Sequence, residues 1–146
     1  MPEYEESRAR LAQLADFYRA HPGDRNEATT RLQLIDRLFL ECLGWSRQDV
    51  ASEVSHEGAY ADYTFSAPRP ILIVEAKREG KTFELPIGAS GAEQRLPGLL
   101  RDNPDLRLAV QQAARYCHER GVNFGVIANG HQLVAFIPVR HDGTHR

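Results

Sequence analysis

Tyr60-Ala61-Asp62-Tyr63-Thr64-Phe65-Ser66-Ala67-Pro68-Arg69-Pro70-Ile71-Leu72-Ile73-Val74-Glu75-Ala76-Lys77 is the stretch on which the fold turns. Its first part alternates, with Ala61, Tyr63 and Phe65 on one face and Tyr60, Asp62 and Thr64 on the other, the period of a β-strand over Tyr60–Ser66. Its second part opens on the unbroken apolar run Ile71-Leu72-Ile73-Val74, which predicts a strand over Ile71–Lys77 covered on both faces. Between them, Ala67-Pro68-Arg69-Pro70 reads as a four-residue hairpin loop. That loop sets Ser66 opposite Ile71 and, in the same register, Asp62 opposite Glu75, with Cβ atoms roughly 5 Å apart. Lys77, two residues beyond Glu75, shares that face.

Working outward, an earlier strand is expected over Val50–His56. Before it, residues 3–20 form an amphipathic helix with Leu11, Leu14, Phe17 and Tyr18 at helical spacing, ending ahead of His21-Pro22-Gly23. A second helix runs from Asn26 to Leu43, with an apolar stripe of Leu32, Ile35, Leu38, Phe39, Cys42 and Leu43, and Gly44 terminates it. Residues 79–104 show no sustained period and contain Pro86, Gly88, Gly91, Pro97, Gly98 and Pro104. Such stretches are often functional loops or flaps, here with a short helix near Ala92–Leu100. A clearer helix spans Leu106–Arg120 and closes at Gly121. Two strands follow, Val122–Ala128 and Gln132–Val139, joined at Asn129-Gly130, a hairpin signal. The order α-α-β-β-β-α-β-β predicts an α/β fold with a mixed β-sheet flanked by helices. It divides into an N-terminal amphipathic helix (1–22), a main domain (23–139) and a polar tail (140–146).

Composition bounds the chemistry. The 146 residues are 42% hydrophobic and 26% charged, enough for one packed core. Lys and Arg number 18 against 20 Asp and Glu, a formal charge of −2. A free-standing nucleic-acid binder usually has a basic excess, so any phosphate contact must come from a local patch, for which Arg69, Arg78, Lys81, Arg95 and Arg101 are candidates. Cys42 and Cys117 lie in apolar helical patterns without metal-ligand spacing and read as buried free thiols. The six histidines form no ligand cluster; His118 and His131 read as surface residues, and His141 and His145 fall in the polar tail. No apolar run reaches the ~18 residues of a membrane span, and residues 1–10 lack a signal core. A cytoplasmic location without membrane contact is expected.

Two facing carboxylates repel unless a cation or a proton intervenes. Magnesium takes oxygen ligands, keeps several waters and is satisfied by one or two carboxylates; it polarises a phosphoryl oxygen and lowers the pKa of an attacking water. A neighbouring lysine can orient that water or neutralise developing charge. Asp62, Glu75 and Lys77 therefore fit a magnesium site, and they also fit a solvated strand end with an ion pair. Glu79-Gly80-Lys81 repeats the Glu-x-Lys spacing but follows no apolar strand and contains a glycine, so it is set aside.

The ordered motifs resemble the PD-(D/E)xK nuclease superfamily, in particular the N-terminal nuclease domain of type I restriction enzyme R subunits. They are Asn26-Glu27-Ala28-Thr29-Thr30-Arg31 opening a helix, Leu43-Gly44-Trp45 closing it, Ala61-Asp62-Tyr63, Ile73-Val74-Glu75-Ala76-Lys77, Gln112-Ala113-Ala114-Arg115-Tyr116, and Ala128-Asn129-Gly130. The resemblance covers about residues 24–139, and Ala61 stands where the superfamily's name has proline. It implies a restriction-endonuclease-like fold and a metal-dependent endonuclease hydrolysing phosphodiester bonds, in DNA ahead of RNA, leaving a 5′-phosphate. Asp62, Glu75 and the Ala76 carbonyl would hold Mg2+, which Mn2+ can replace, with Glu27 as accessory acid and Lys77 acting on the water. Glu27 also completes a capping box, Asp24-x-x-Glu27. Gln112 and Tyr116, at i and i+4 on one helix face, would assist at the edge of the site; a helix face packed on the sheet is the alternative. The resemblance further implies an effector module of a larger restriction or antiviral defence protein, alongside helicase, ATPase or sensor domains or subunits, with a homo-oligomer as another assembly. The rival is a catalytically silent module of the same fold that binds nucleic acid or a partner.

Overall fold

The computed structural model describes residues 3–56, 59–86, 88 and 93–138. Among these, helix α1 (Tyr4–Ala20) leads to α2, which starts as Glu27–Thr30 and continues through wider π turns at Arg31–Ile35 and Leu38–Cys42. A 3₁₀ turn (Arg47–Asp49) precedes strands β1 (Val50–His56), β2 (Ala59–Ser66) and β3 (Pro70–Ala76). Helices α3 (Leu96–Arg101) and α4 (Pro104–Arg120) and strands β4 (Phe124–Ala128) and β5 (Leu133–Phe136) complete the order. The described strands form one sheet in the order β1-β2-β3-β4-β5. All neighbours are antiparallel except β3 and β4, which run parallel because α3 and α4 carry the chain back between them.

The sheet is covered on both faces, and β3 shows why its sequence is continuously apolar. Val74 packs with Ile35, Phe39, Tyr63, Phe65, Val126 and Ala128 beneath α2. Ile73, on the opposite face, packs with Ile127, Leu106, Val110, Ala113 and Tyr116 beneath α4. Helix α1 lies outside α2, where Leu14 meets Leu34 and Cys42. Gly44 (φ 79°) and Gly121 (φ 65°) end α2 and α4 in the left-handed conformation that costs glycine little. Cys42 and Cys117 are buried free thiols. Among the described residues, no helix is long and apolar enough to cross a membrane.

Several details depart from the sequence reading. The cap of α2 is Asn26, whose Oδ1 accepts the Thr29 N–H at 2.8 Å, rather than Asp24. Leu11, Leu32 and Leu43 are exposed, at the margins of their stripes, while Leu34, outside the expected set, is 1% exposed. The β2–β3 connection is three residues long, because a bulge between Phe65 and Ser66 pairs Ser66 with Pro70 instead of Ile71. The short helix expected near 92–100 lies at Leu96–Arg101. Strand β5 spans Leu133–Phe136, shorter than expected, and Val139 and the tail with His141 and His145 lie outside the described residues.

The irregular segment after β3 is anchored over its described part. Phe83 is buried, and the Gln132 side chain accepts its N–H and donates to its C=O, both at 2.8 Å. Asn103 does the same for Glu84, at 2.9 and 2.8 Å. Two side-chain amides thus stand in for a neighbouring strand. Gln132 is held in turn by buried Asn129, whose Oδ1 accepts the backbone N–H groups of His131 and Gln132. The β4–β5 turn accordingly rests on an Asn side chain, with positive φ at Gly130 alone.

Candidate active site

The β2–β3 ladder pairs Phe65 with Leu72, Thr64 with Ile73 and Tyr63 with Val74. The next position in that register sets Asp62 against Glu75. There the backbone ladder gives way to a side chain: Asp62 Oδ2 accepts the Ala76 N–H at 2.8 Å. Asp62 is near enough for its charge to act on the Glu75 carboxyl, at the end of the hairpin away from its turn.

Glu75 is 3% exposed. Lys77 Nζ donates to its Oε1 at 3.1 Å, while its Oε2 is buried without a hydrogen-bond partner. Burial is the main reason its pKa is pushed up to about 7; the charges of Asp62 and Glu27 add to the rise, and Lys77 opposes it. A buried carboxylate oxygen without a donor is costly, and a divalent cation held between Glu75 and Asp62 would supply what it lacks. The donor set therefore fits a hard cation. Lys77 follows the last residue of β3 and is fastened by its N–H to the Ala128 carbonyl at 2.8 Å, so the ammonium projects from an anchored backbone.

Ala76 is fully buried, and its N–H faces Asp62. A strand residue's N–H and C=O point to the same side, which leaves the Ala76 carbonyl on the Asp62 side of β3. Glu27 stands in the first turn of α2. It is exposed, near enough to raise the Glu75 pKa, but among the described residues no group of three or more His, Cys, Asp or Glu is gathered around a metal position. Asp62 acts on Glu75 more strongly than Glu27 does.

Gln112 and Tyr116 part company. Tyr116 is 2% exposed and belongs to the core under α4, whereas Gln112 faces solvent. Four of the five basic residues are distant from Asp62 or paired with an acid. Arg69 lies in the β2–β3 turn, at the opposite end of the hairpin from Asp62. Arg78 pairs with Asp24 at 3.2 Å, Lys81 with Asp105 at 3.9 Å and Arg101 with Asp102 at 3.6 Å. His118 and His131 are exposed.

Two features escape a reading of the sequence. Arg31, one turn after Glu27, lays its guanidinium over the Tyr63 ring (4.7 Å to the centroid) and donates to the Asp62 carbonyl at 3.2 Å. Its spacing from Glu27 was the available signal. Glu79, in the discarded Glu-x-Lys copy, is a buried structural acid: it forms an ion pair with buried Arg25 at 3.0 Å and accepts the Arg25 N–H at 2.9 Å. Its own N–H donates to Thr30 Oγ1 at 3.1 Å. This tie fastens the start of α2, with Glu27 and Arg31, to the segment leaving Lys77.

No family model matches the chain, and neither the curated proteins nor the solved structures yield a match to it.

Proposed function

We propose that this chain is a magnesium-dependent endonuclease domain of restriction-endonuclease-like fold, hydrolysing phosphodiester bonds in DNA. The observation that carries the reading is the Glu75 carboxylate, buried, opposite Asp62, with Lys77 on one oxygen and nothing on the other. Asp62 and Glu75 would hold the cation, Mg2+ or Mn2+, with the Ala76 carbonyl beside them. The bound ion supplies charge stabilisation at the phosphate and a more acidic water. Lys77, anchored through its backbone, places a positive charge next to the water and the developing phosphorane charge. The buried neighbours of Glu75 keep bulk water from screening that charge. Glu27 and Gln112, both exposed, would act only at the outer edge, and Tyr116 serves the core.

The formal charge of −2 and the pairing of Arg78, Lys81 and Arg101 with aspartates leave little general affinity for a polyanion. That balance supports targeting by companion domains or subunits, which the resemblance would place in a larger cytoplasmic restriction or defence protein. The same charge balance favours the second reading, a silent module of this fold that binds nucleic acid or a partner. Plasmid DNA incubated with magnesium at high protein concentration tests the first reading: cleavage is expected from the wild type and not from Asp62→Ala or Lys77→Ala. Cleavage that survives in both variants overturns the assignment. Calorimetric titration with magnesium separates the second, which expects no metal binding by the wild type.

A further inference from the structure

We propose that Arg31 binds a phosphodiester oxygen of the nucleic acid, and that the Glu53 carboxylate occupies that position in the free protein. This rests on the nucleic-acid reading above and adds to it a binding residue on the opposite side of Asp62 from Glu75.

The guanidinium is held in place without Glu53. Its Nε donates to the Tyr63 hydroxyl at 3.3 Å, and its Nη2 donates to Ser52 Oγ and to the Asp62 carbonyl. The Tyr63 ring beneath it is itself secured by a hydrogen bond from its hydroxyl to Asp36. What remains is Nη1, which lies 4.0 Å from Asp62 Oδ1 and donates to Glu53 Oε1 at 3.2 Å. Arg31 is thus a pre-organised donor with one outward N–H group, beside the acid assigned to the metal.

Glu53 has the features of an occupant that can leave. Its side chain is 69% exposed, against 16% for Arg31. An exposed ion pair of this kind contributes little to stability. Its backbone has φ 54°, a left-handed conformation unusual for glutamate. The register of Ser52 with Tyr63 and Val54 with Ala61 sets Glu53 directly across from Asp62. Two acids therefore face each other across β1 and β2, with Arg31 between them. A carboxylate and a phosphodiester present the same paired oxygens to a guanidinium, so one can take the place of the other. A phosphate replacing Glu53 at Nη1 would sit within reach of Asp62, where the scissile group must be placed.

The test is binding of a short fluorescent DNA duplex in EDTA, read by anisotropy, so that cleavage plays no part. Glu53→Gln is expected to tighten binding about fivefold, the worth of one surface ion pair, and to exceed the gain from Glu5→Gln on α1, which changes the charge equally. In an Arg31→Lys background that excess should vanish. The proposal is overturned if Glu53→Gln matches Glu5→Gln, if its excess persists in Arg31→Lys, or if no variant binds. Should Arg31→Lys lose its melting transition, the Arg31 Nε–H resonance of the wild type and of Glu53→Gln decides: it must move on adding duplex, and a resonance that stays put overturns the assignment. Coupling between Arg31 and Glu53 without cleavage in magnesium would leave this site standing and remove the hydrolytic reading alone. Asp62-dependent cleavage without coupling would do the reverse.

Discussion

Asp62 finishes the pairing of β2 with β3 through its side chain, its Oδ2 accepting the Ala76 N–H at 2.8 Å where the backbone ladder stops. The acid proposed to hold a metal therefore also satisfies a fully buried amide. Stability and chemistry can be separated at this residue. Asp62→Ala orphans the Ala76 N–H and should cost about 1–3 kcal/mol, whereas Asp62→Asn keeps an acceptor and should cost less than half as much. Both should lose magnesium-dependent cleavage. Urea unfolding beside a plasmid assay checks the pair, and equal destabilisation by the two would contradict the role of this hydrogen bond.

Glu75 predicts the pH dependence. Its pKa in the folded protein is about 7, above the ordinary 4.5 of the unfolded chain, because burial and Asp62 disfavour the anion. Below pH 4.5 both states are protonated there. Between 4.5 and 7 the unfolded chain releases its proton first, so the folded state loses stability as pH rises, by roughly 3 kcal/mol in all, and the loss levels off above 7. In EDTA, melting temperature should fall across that window and Glu75→Gln should flatten the fall. Magnesium should raise the melting temperature of the wild type at pH 8 but not that of Glu75→Gln.

The buried Arg25–Glu79 pair should be costly to break from one side. Glu79→Ala leaves the guanidinium, 8% exposed, without its partner and should destabilise by about 3–5 kcal/mol. Replacing both, as Arg25→Met with Glu79→Leu, should recover much of that. Guanidinium unfolding midpoints measure both. A Glu79→Ala loss below 1 kcal/mol would show that the tie does not hold α2 to the segment beyond Lys77.

Gln132 should control the segment after β3. Its side chain makes both hydrogen bonds to the Phe83 backbone, so Gln132→Ala should speed amide exchange at Phe83 by about tenfold, the equivalent of one lost hydrogen bond of ~1.4 kcal/mol. Exchange at Val126, inside the sheet, should change much less. Hydrogen–deuterium exchange followed by NMR reads both sites.

The strands and the Asp62–Glu75 register were legible because they depend on local regularities, while Ala61 packs in the core under α4 and Tyr63 and Phe65 in the core under α2. Period-two alternation set Asp62 apart from Tyr63, and the apolar run of β3 announced burial on both faces. The register survived an error in the loop: the bulge at Phe65 and Ser66 absorbed the residue by which the turn was misjudged. Lys77 was separable from Lys81 for the same reason, since only Lys77 follows a buried strand. The i, i+4 spacing of Gln112 and Tyr116 could give a shared face, but the boundary between core and solvent falls between the two, and spacing does not locate that boundary.

By itself, the sequence determined the strand and main helix types, the helix stops at Gly44 and Gly121, and the register that sets Asp62 against Glu75, all set by backbone geometry over a few residues. Only the tertiary structure decided that Arg25 would bury Glu79 from 54 positions away, that Arg31 would come between Asp62 and Glu53, and that one oxygen of Glu75 would be sealed from water without a partner. Those outcomes depend on which helix covers which face of the sheet, a long-range packing choice that no local period encodes.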